Sequence, residues 1–352
     1  MISSTILIFL CATASQEGFK MKEDRRLLCI VIFLFTTICL AETHMNVQAV
    51  DEYGVGTHPD LLTWNKVSVE GIVLNDPLYI LDATPDQNSP GPGGMWQIYV
   101  QGEGNDHAGT AVWMGQCYDN IWGGSGTYTN GQWLTEVFRI DHDPCTGYDF
   151  APGDRVRVTG LLKYYGGKTN INERHDADPD NDFKVELLKA AVGLPEPELI
   201  TLNDVKDGSD NFIFVQSRTS GCEYYQGRLV RINNVSFVDA NGWDKDATLR
   251  ITNGVKTFDV KLGIGHGIYP GSNNLNNVFD VIGIFDQEGY DMAGYRIWVP
   301  NYDGNGRVLT DRRPKPRNLA GDVNNDGIIN FKDLADIAAD WLKCAPGSGG
   351  CN

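Results

Sequence analysis

The chain has 352 residues, 41% hydrophobic and 21% charged, a mixture that excludes both a single small domain and a disordered polymer and leaves room for two or three globular units. Its 29 basic residues face 46 acidic ones, a formal net charge of -17, which sets the mean field against polyanionic partners such as bulk nucleic acid or anionic lipid. Forty glycines favour many tight turns and so point toward β structure.

Two apolar stretches open the chain, residues 2–14 and 27–40, separated by Lys20, Lys22, Arg25 and Arg26. Neither reaches the roughly 18 residues that a bilayer span needs. Read from Met21, basic residues precede an apolar run that ends in Cys39-Leu40-Ala41, the grammar of a secretory signal. The pattern predicts a signal region over residues 1–41, cut after Ala41 or Ala49, with Met21 as the true start and the mature chain secreted or at the cell surface. The alternative is a retained N-terminal anchor, and no further transmembrane candidate follows. In an exported chain disulfides persist: Cys117 with Cys145 and Cys344 with Cys351 are the expected pairs, leaving Cys222 over.

From Trp64 onward the sequence alternates as strands do. Strands are expected over residues 66–74, 95–101, 110–114, 154–163 and 168–172, separated by turns such as Ser89-Pro90-Gly91-Pro92-Gly93-Gly94. In the fourth, Val156, Val158 and Gly160 share one face while Arg155, Arg157 and Thr159 share the other. The same grammar restarts with 227–238, 248–252, 257–262, 279–285 and 295–299. Two successive five-stranded units match partly open barrels better than one large sandwich. The expected fold is therefore mainly β: a first barrel over 60–190, a Pro-punctuated connector over 191–223, a second barrel over 224–311 and a basic linker over 312–320. A calcium loop with its helix follows over 321–343, and 344–352 is a tail.

The run Pro152-Gly153-Asp154-Arg155-Val156-Arg157-Val158-Thr159-Gly160, followed by Tyr164-Tyr165-Gly166-Gly167-Lys168-Thr169, resembles the OB-fold repeats of secreted bacterial nucleases and related exported proteins. A second unit opening like Tyr225-Gln226-Gly227-Arg228-Leu229-Val230 is similar to the second repeat of that group. The likeness covers about residues 60–310 and includes no nuclease domain.

The sharpest motif begins at Asp322. Oxygen ligands fall at positions 1, 3, 5, 9 and 12 (Asp322, Asn324, Asp326, Asn330, Asp333), Gly327 takes the sixth position, and the Ile328 carbonyl supplies another ligand; a hard, flexible cation such as Ca2+ is bound by that spacing. Behind it, Phe331, Leu334, Ile337, Ala338, Trp341 and Leu342 form one helical stripe. Loop and stripe resemble one calcium-binding half-repeat of type I dockerins, which implies a cohesin-like scaffold protein as partner for residues 321–343. The family carries two repeats where this chain has one. Asp303-Gly304-Asn305-Gly306-Arg307 and Asp176-Ala177-Asp178-Pro179-Asp180-Asn181-Asp182 lack the loop's grammar.

No residue pattern identifies catalysis. The six histidines show no i, i+4 pair, and no nucleophile elbow, phosphate-cradling loop or Cys-x-x-Cys is present. Asp141-His142-Asp143 and Glu173-Arg174-His175-Asp176 read as solvated acidic loops. Ligand-binding candidates are Tyr99, Trp113, Tyr164, Tyr165 and Lys168 in the first barrel and Tyr290, Tyr295 and Trp298 in the second, because OB-like barrels bind by stacking rings on aromatics. The expected role is a secreted, noncatalytic binding or adaptor protein of extracellular polysaccharide degradation. The alternatives are a hydrolase of glycosidic bonds or nucleic acid, and single-stranded nucleic-acid binding if Arg155, Arg157, Lys163 and Lys168 cluster.

Overall fold

The computed structural model describes residues 41–275 and 278–302. Residues 1–40 of the expected leader, the basic linker, the calcium ligands Asp322, Asn324, Asp326, Ile328, Asn330 and Asp333, and the pair Cys344 and Cys351 lie outside the described residues. None of the described helices is long and apolar enough to cross a membrane.

A short helix, α1 (His44–Val47), precedes β1 (Val67–Val73), β2 (Met95–Gln101) and β3 (Gly109–Gly115). Then come α2 (Asn130–Asp141), β4 (Arg155–Tyr165), β5 (Lys168–Asn172) and β6 (Lys184–Lys189). Five of the strands close a barrel in the order β1-β2-β3-β5-β4, with β4 returning to β1 and β6 added along β4. All pairs are antiparallel except β3 with β5, aligned by Ala111 opposite Asn170. The alternation seen in the sequence sets the facing. Trp96, Ile98 and Val100 of β2, Val112 and Met114 of β3, and Val156 and Val158 of β4 fill the interior.

Sequence reading missed two elements here. Helix α2 carries a capping box, Thr129 with Gln132, and sends Trp133 and Ile140 into the core. Strand β6 alternates too weakly to announce itself, with only Val185 fully buried.

The second barrel repeats the circuit. After β7 (Glu198–Ile200), α3 (Leu202–Val205) and α4 (Gly221–Tyr225), its strands are β8 (Leu229–Phe237), β9 (Thr248–Thr252), β10 (Thr257–Leu262), β11 (Phe279–Gln287) and β12 (Tyr295–Val299). They close as β8-β9-β10-β12-β11, with β11 returning to β8 and β10 parallel to β12. In both barrels the order is thus first, second, third, fifth, fourth, an arrangement compatible with OB-like folds. The segment expected as a connector does more than join the two. β7 pairs with β8, and Ile200, Leu202, Val205 and Cys222 are buried in the second core.

The barrels share a third apolar cluster. Leu74, Tyr99 and Ala111 from one side pack with Leu229, Ile282, Ile284 and Trp298 from the other. Backbones also touch. Gly109 donates its N–H to the Gln226 carbonyl at 3.0 Å, and a Cβ at Gly109 would stand 2.0 Å from the Gly227 oxygen. Gly227 itself has φ +74°, which glycine alone adopts cheaply. Gly109→Ala is therefore expected to wedge the barrels apart and cost about 1–3 kcal/mol, read as a lowered urea midpoint. The N-terminal segment straps the joint: Gln48 donates to the Thr169 carbonyl at 2.6 Å and accepts from Arg218 Nη1 at 3.1 Å.

The expected Cys117–Cys145 bond is not formed. Cys117 is buried beyond the end of β3, its thiol facing the Asp86 carbonyl at 3.5 Å, while Cys145 lies exposed in the turn after α2, and both are free.

Candidate functional site

Residues that alternate outward on β2, β3 and β5 make the wall facing the second barrel. Gln97 stands opposite Trp113 and Tyr99 opposite Ala111 across β2–β3. On the other side, Asp286 stands opposite Arg296 and Ile284 opposite Trp298 across β11–β12. Where the two walls diverge they leave a cavity of about 470 Å³, within the size range of small-molecule sites.

Three large aromatic rings line this cavity. Trp113 is partly exposed, Tyr165 is 46% exposed, and Trp298 closes the inner wall at 2%. Polar groups alternate with them: Lys168, Asn170 and His175 from the first barrel, Asp246, Lys261, Glu288 and Arg296 from the second.

The charges cancel locally. Lys168 Nζ lies 2.9 Å from Asp286 and 3.0 Å from Glu288. Arg296 bonds the same two carboxylates at 3.0 and 2.9 Å, and Lys261 meets Asp246 at 2.7 Å. Burial alone would discharge Lys168, but Asp286 and Glu288 outweigh it and hold its pKa above the usual lysine value. Burial likewise opposes ionisation of Asp286, yet Lys168 and Arg296 keep its pKa below the usual carboxylate value. The cavity thus presents donors and acceptors of both signs without a net charge.

His175 is the exception to this pairing. Its Nδ1 is sealed from solvent with no hydrogen-bond partner, and its ring stands edge-on to Trp113 at 5.3 Å and stacks on Tyr118 at 5.8 Å. Burial, helped by Lys163, pushes its pKa down to about 4, so the ring is neutral at physiological pH. It and Arg174 both adopt positive φ, +61° and +54°. Adjacent non-glycine residues in that region are held there by their surroundings.

Neither protein-family models, curated proteins nor solved structures give a match to this chain. The expected likenesses to dockerins and to secreted nuclease repeats find no support in those comparisons, and the site is read from its geometry alone.

Of the candidate binding residues, Trp113, Tyr165, Lys168 and Trp298 are brought together. Tyr99 is not available, being 1% exposed in the cluster between the barrels. Tyr295 points into the second core, its hydroxyl donating to buried Glu223 at 2.6 Å. Tyr164 lies off the cavity, bonded to the Gly54 carbonyl at 2.7 Å with its ring near Tyr290. Three of the four residues of the proposed basic cluster are paired. Arg155 and Arg157 both pair with Glu70, and Lys168 is spent on the second barrel.

The acidic-histidine loops resolve differently from expectation. Asp141 accepts from Trp96 Nε1 at 2.9 Å, His142 stacks on Phe138, and Asp143 accepts from the Leu187 amide: all three are structural. Glu173 is wholly buried, with the hydroxyls of Tyr118 and Tyr128 each at 3.0 Å. His175, which read as a solvated loop residue, lines the cavity. Lys261 and Arg296 gave no signal in the sequence, because only the docking of one barrel on the other makes them site residues.

Proposed function

We propose that the protein is a noncatalytic binding component of extracellular polysaccharide degradation, and that its inter-barrel cavity takes one uncharged sugar unit. The observation that carries this reading is the pairing of partly exposed aromatic rings with charges that neutralise each other. A sugar offers an apolar face of C–H groups to Trp113 and Tyr165. Its hydroxyls are donors and acceptors at once, and Lys261 with Asp246 and Arg296 with Glu288 supply partners for both roles. A phosphate-bearing ligand would find Lys261, Arg296 and Lys168 each already paired with a carboxylate and would approach against the field of an acidic chain.

Trp113→Ala is expected to lower retention on insoluble glycans about 10- to 100-fold, the loss of a stacking contact worth about 1–3 kcal/mol. Depletion binding to insoluble xylan, cellulose and mannan measures it. Release of reducing ends by the intact protein would replace this reading with a hydrolase, and a steep fall of binding with salt would replace it with nucleic-acid binding.

Two further parts of the reading rest on sequence. Export with cleavage after Ala41 is proposed over cleavage after Ala49, because the latter would remove buried His44, Val47 and Gln48. The loop from Asp322 to Asp333 is proposed to bind Ca2+ and to dock the chain on a cohesin-like scaffold. Calorimetric titration of the full chain with Ca2+ should show one site that Asp322→Ala with Asp326→Ala removes, and absence of heat would end the proposal.

A further inference from the structure

The loop that follows β3 supplies Asn120 and Ile121 to the cavity wall, and the next residue, Trp122, is 95% exposed. That ring touches no other aromatic among the described residues, yet its backbone is firmly held. Ile121 donates to the Tyr118 carbonyl and Gly124 to the Ile121 carbonyl, both at 2.9 Å. The Asp119 carboxylate accepts from the Gly126 amide at 2.8 Å and the Thr127 hydroxyl at 2.9 Å, and Asn120 Nδ2 donates to the carbonyls of Ser89 and Gly91. Gly124 leaves no room for a side chain, since a Cβ there would lie 2.2 Å from the Tyr118 oxygen. At Gly123, φ +69°, a Cβ would meet nothing, so the space beside the ring is open.

A single exposed apolar residue needs no explanation by itself. Here the large ring belongs to a rigid turn, and its Cα stands one residue step, about 3.8 Å, from the Cα of Ile121, which lines the cavity. Burying so large a ring would stabilise the fold, and the turn instead leaves it exposed beside the loop residues that line the cavity. Resting on the sugar-binding reading above, we infer that the ligand is a chain of sugars, and that Trp122 is the platform for the unit next to the one in the cavity. A rigid, flat ring loses little freedom when a sugar stacks on it, so the second contact adds directly to affinity.

The test compares wild type, Trp122→Ala and Trp113→Ala by calorimetry against cello-, xylo- and manno-oligosaccharides of one to six units. Wild type should bind the series it prefers at least tenfold more tightly at four units than at one. Trp122→Ala should abolish that gain while leaving the single unit's affinity unchanged, and the long sugar should relieve iodide quenching of tryptophan fluorescence more in wild type than in Trp122→Ala. Retention of the length dependence in Trp122→Ala, with Trp113→Ala still inactive, would overturn the platform and leave the cavity reading standing. No binding of any series by wild type would overturn both.

Discussion

Asp286→Ala is expected to lower stability by about 3–5 kcal/mol, the cost of stranding buried charge. Its carboxylate is fully buried and faces Lys168 at 2.9 Å, Arg296 at 3.0 Å and the Trp298 indole N–H at 2.9 Å. Removal leaves Lys168, only 6% exposed, with Glu288 as its one remaining carboxylate at 3.0 Å. Lys168 belongs to the first barrel and Asp286 to the second, so the loss falls on the joint. Urea unfolding followed by tryptophan fluorescence should therefore show a lower midpoint, and a transition that separates into two as the barrels cease to melt together.

The pH dependence has a definite sign. The native pKa of Asp286 lies below its ordinary value, so its contribution is present above about pH 4, where the unfolded carboxyl is ionised. It is lost as pH falls through the native value. The gap between wild type and Asp286→Asn should close below that point. A gap that stays constant down to pH 2 would mean that packing, and not charge, is what Asp286 contributes.

Glu173→Gln is expected to act in the opposite direction. Burial drives the Glu173 carboxyl up to about 7 despite the two tyrosine hydroxyls and Arg139 around it, with Asp182 adding to the rise. A carboxyl whose native pKa is raised loses stability as pH climbs from its unfolded value near 4.5 through the native value. Glutamine keeps the acceptor for Tyr118 and Tyr128 and carries no charge. The variant should match wild type near pH 5 and exceed it by about 3 kcal/mol at pH 8, at 1.36 kcal/mol per pKa unit. His175 titrates in the same region with the reverse sign, since its native pKa is lowered, but it is common to both proteins and cancels in the difference. Equal stability curves at pH 5 and pH 8 would show that Glu173 ionises freely in the fold.

Strands were legible where short apolar or alternating runs are bounded by turn residues. The expected 95–101, 168–172, 248–252, 257–262 and 295–299 coincide with β2, β5, β9, β10 and β12. In β4 the split of Val156 and Val158 from Arg155 and Arg157 is the split between interior and exterior. Period two fixes which residues share a face, but it does not say which face is the inside when both carry large side chains. That is why Tyr295, core-facing, and Trp298, outward-facing, read alike. The cavity lay beyond sequence reasoning for another reason. Its ion pairs between barrels, Lys168 with Asp286 and with Glu288, join residues more than a hundred positions apart, and no local spacing encodes them. His175 was passed over because an acidic neighbourhood normally means water, whereas here Trp113 and Tyr118 cover the ring.

Each barrel supplies only one jaw of the recess. A gene fragment encoding either barrel alone would yield a protein with a flat, aromatic flank and no place to hold a ligand. Cutting the chain near Pro195 and mixing the halves would restore the recess only where Lys168 finds Asp286 again. The recess in this molecule is in that sense a quaternary property folded into one polypeptide: the two halves are partners first, and enclose a cavity only by virtue of that partnership.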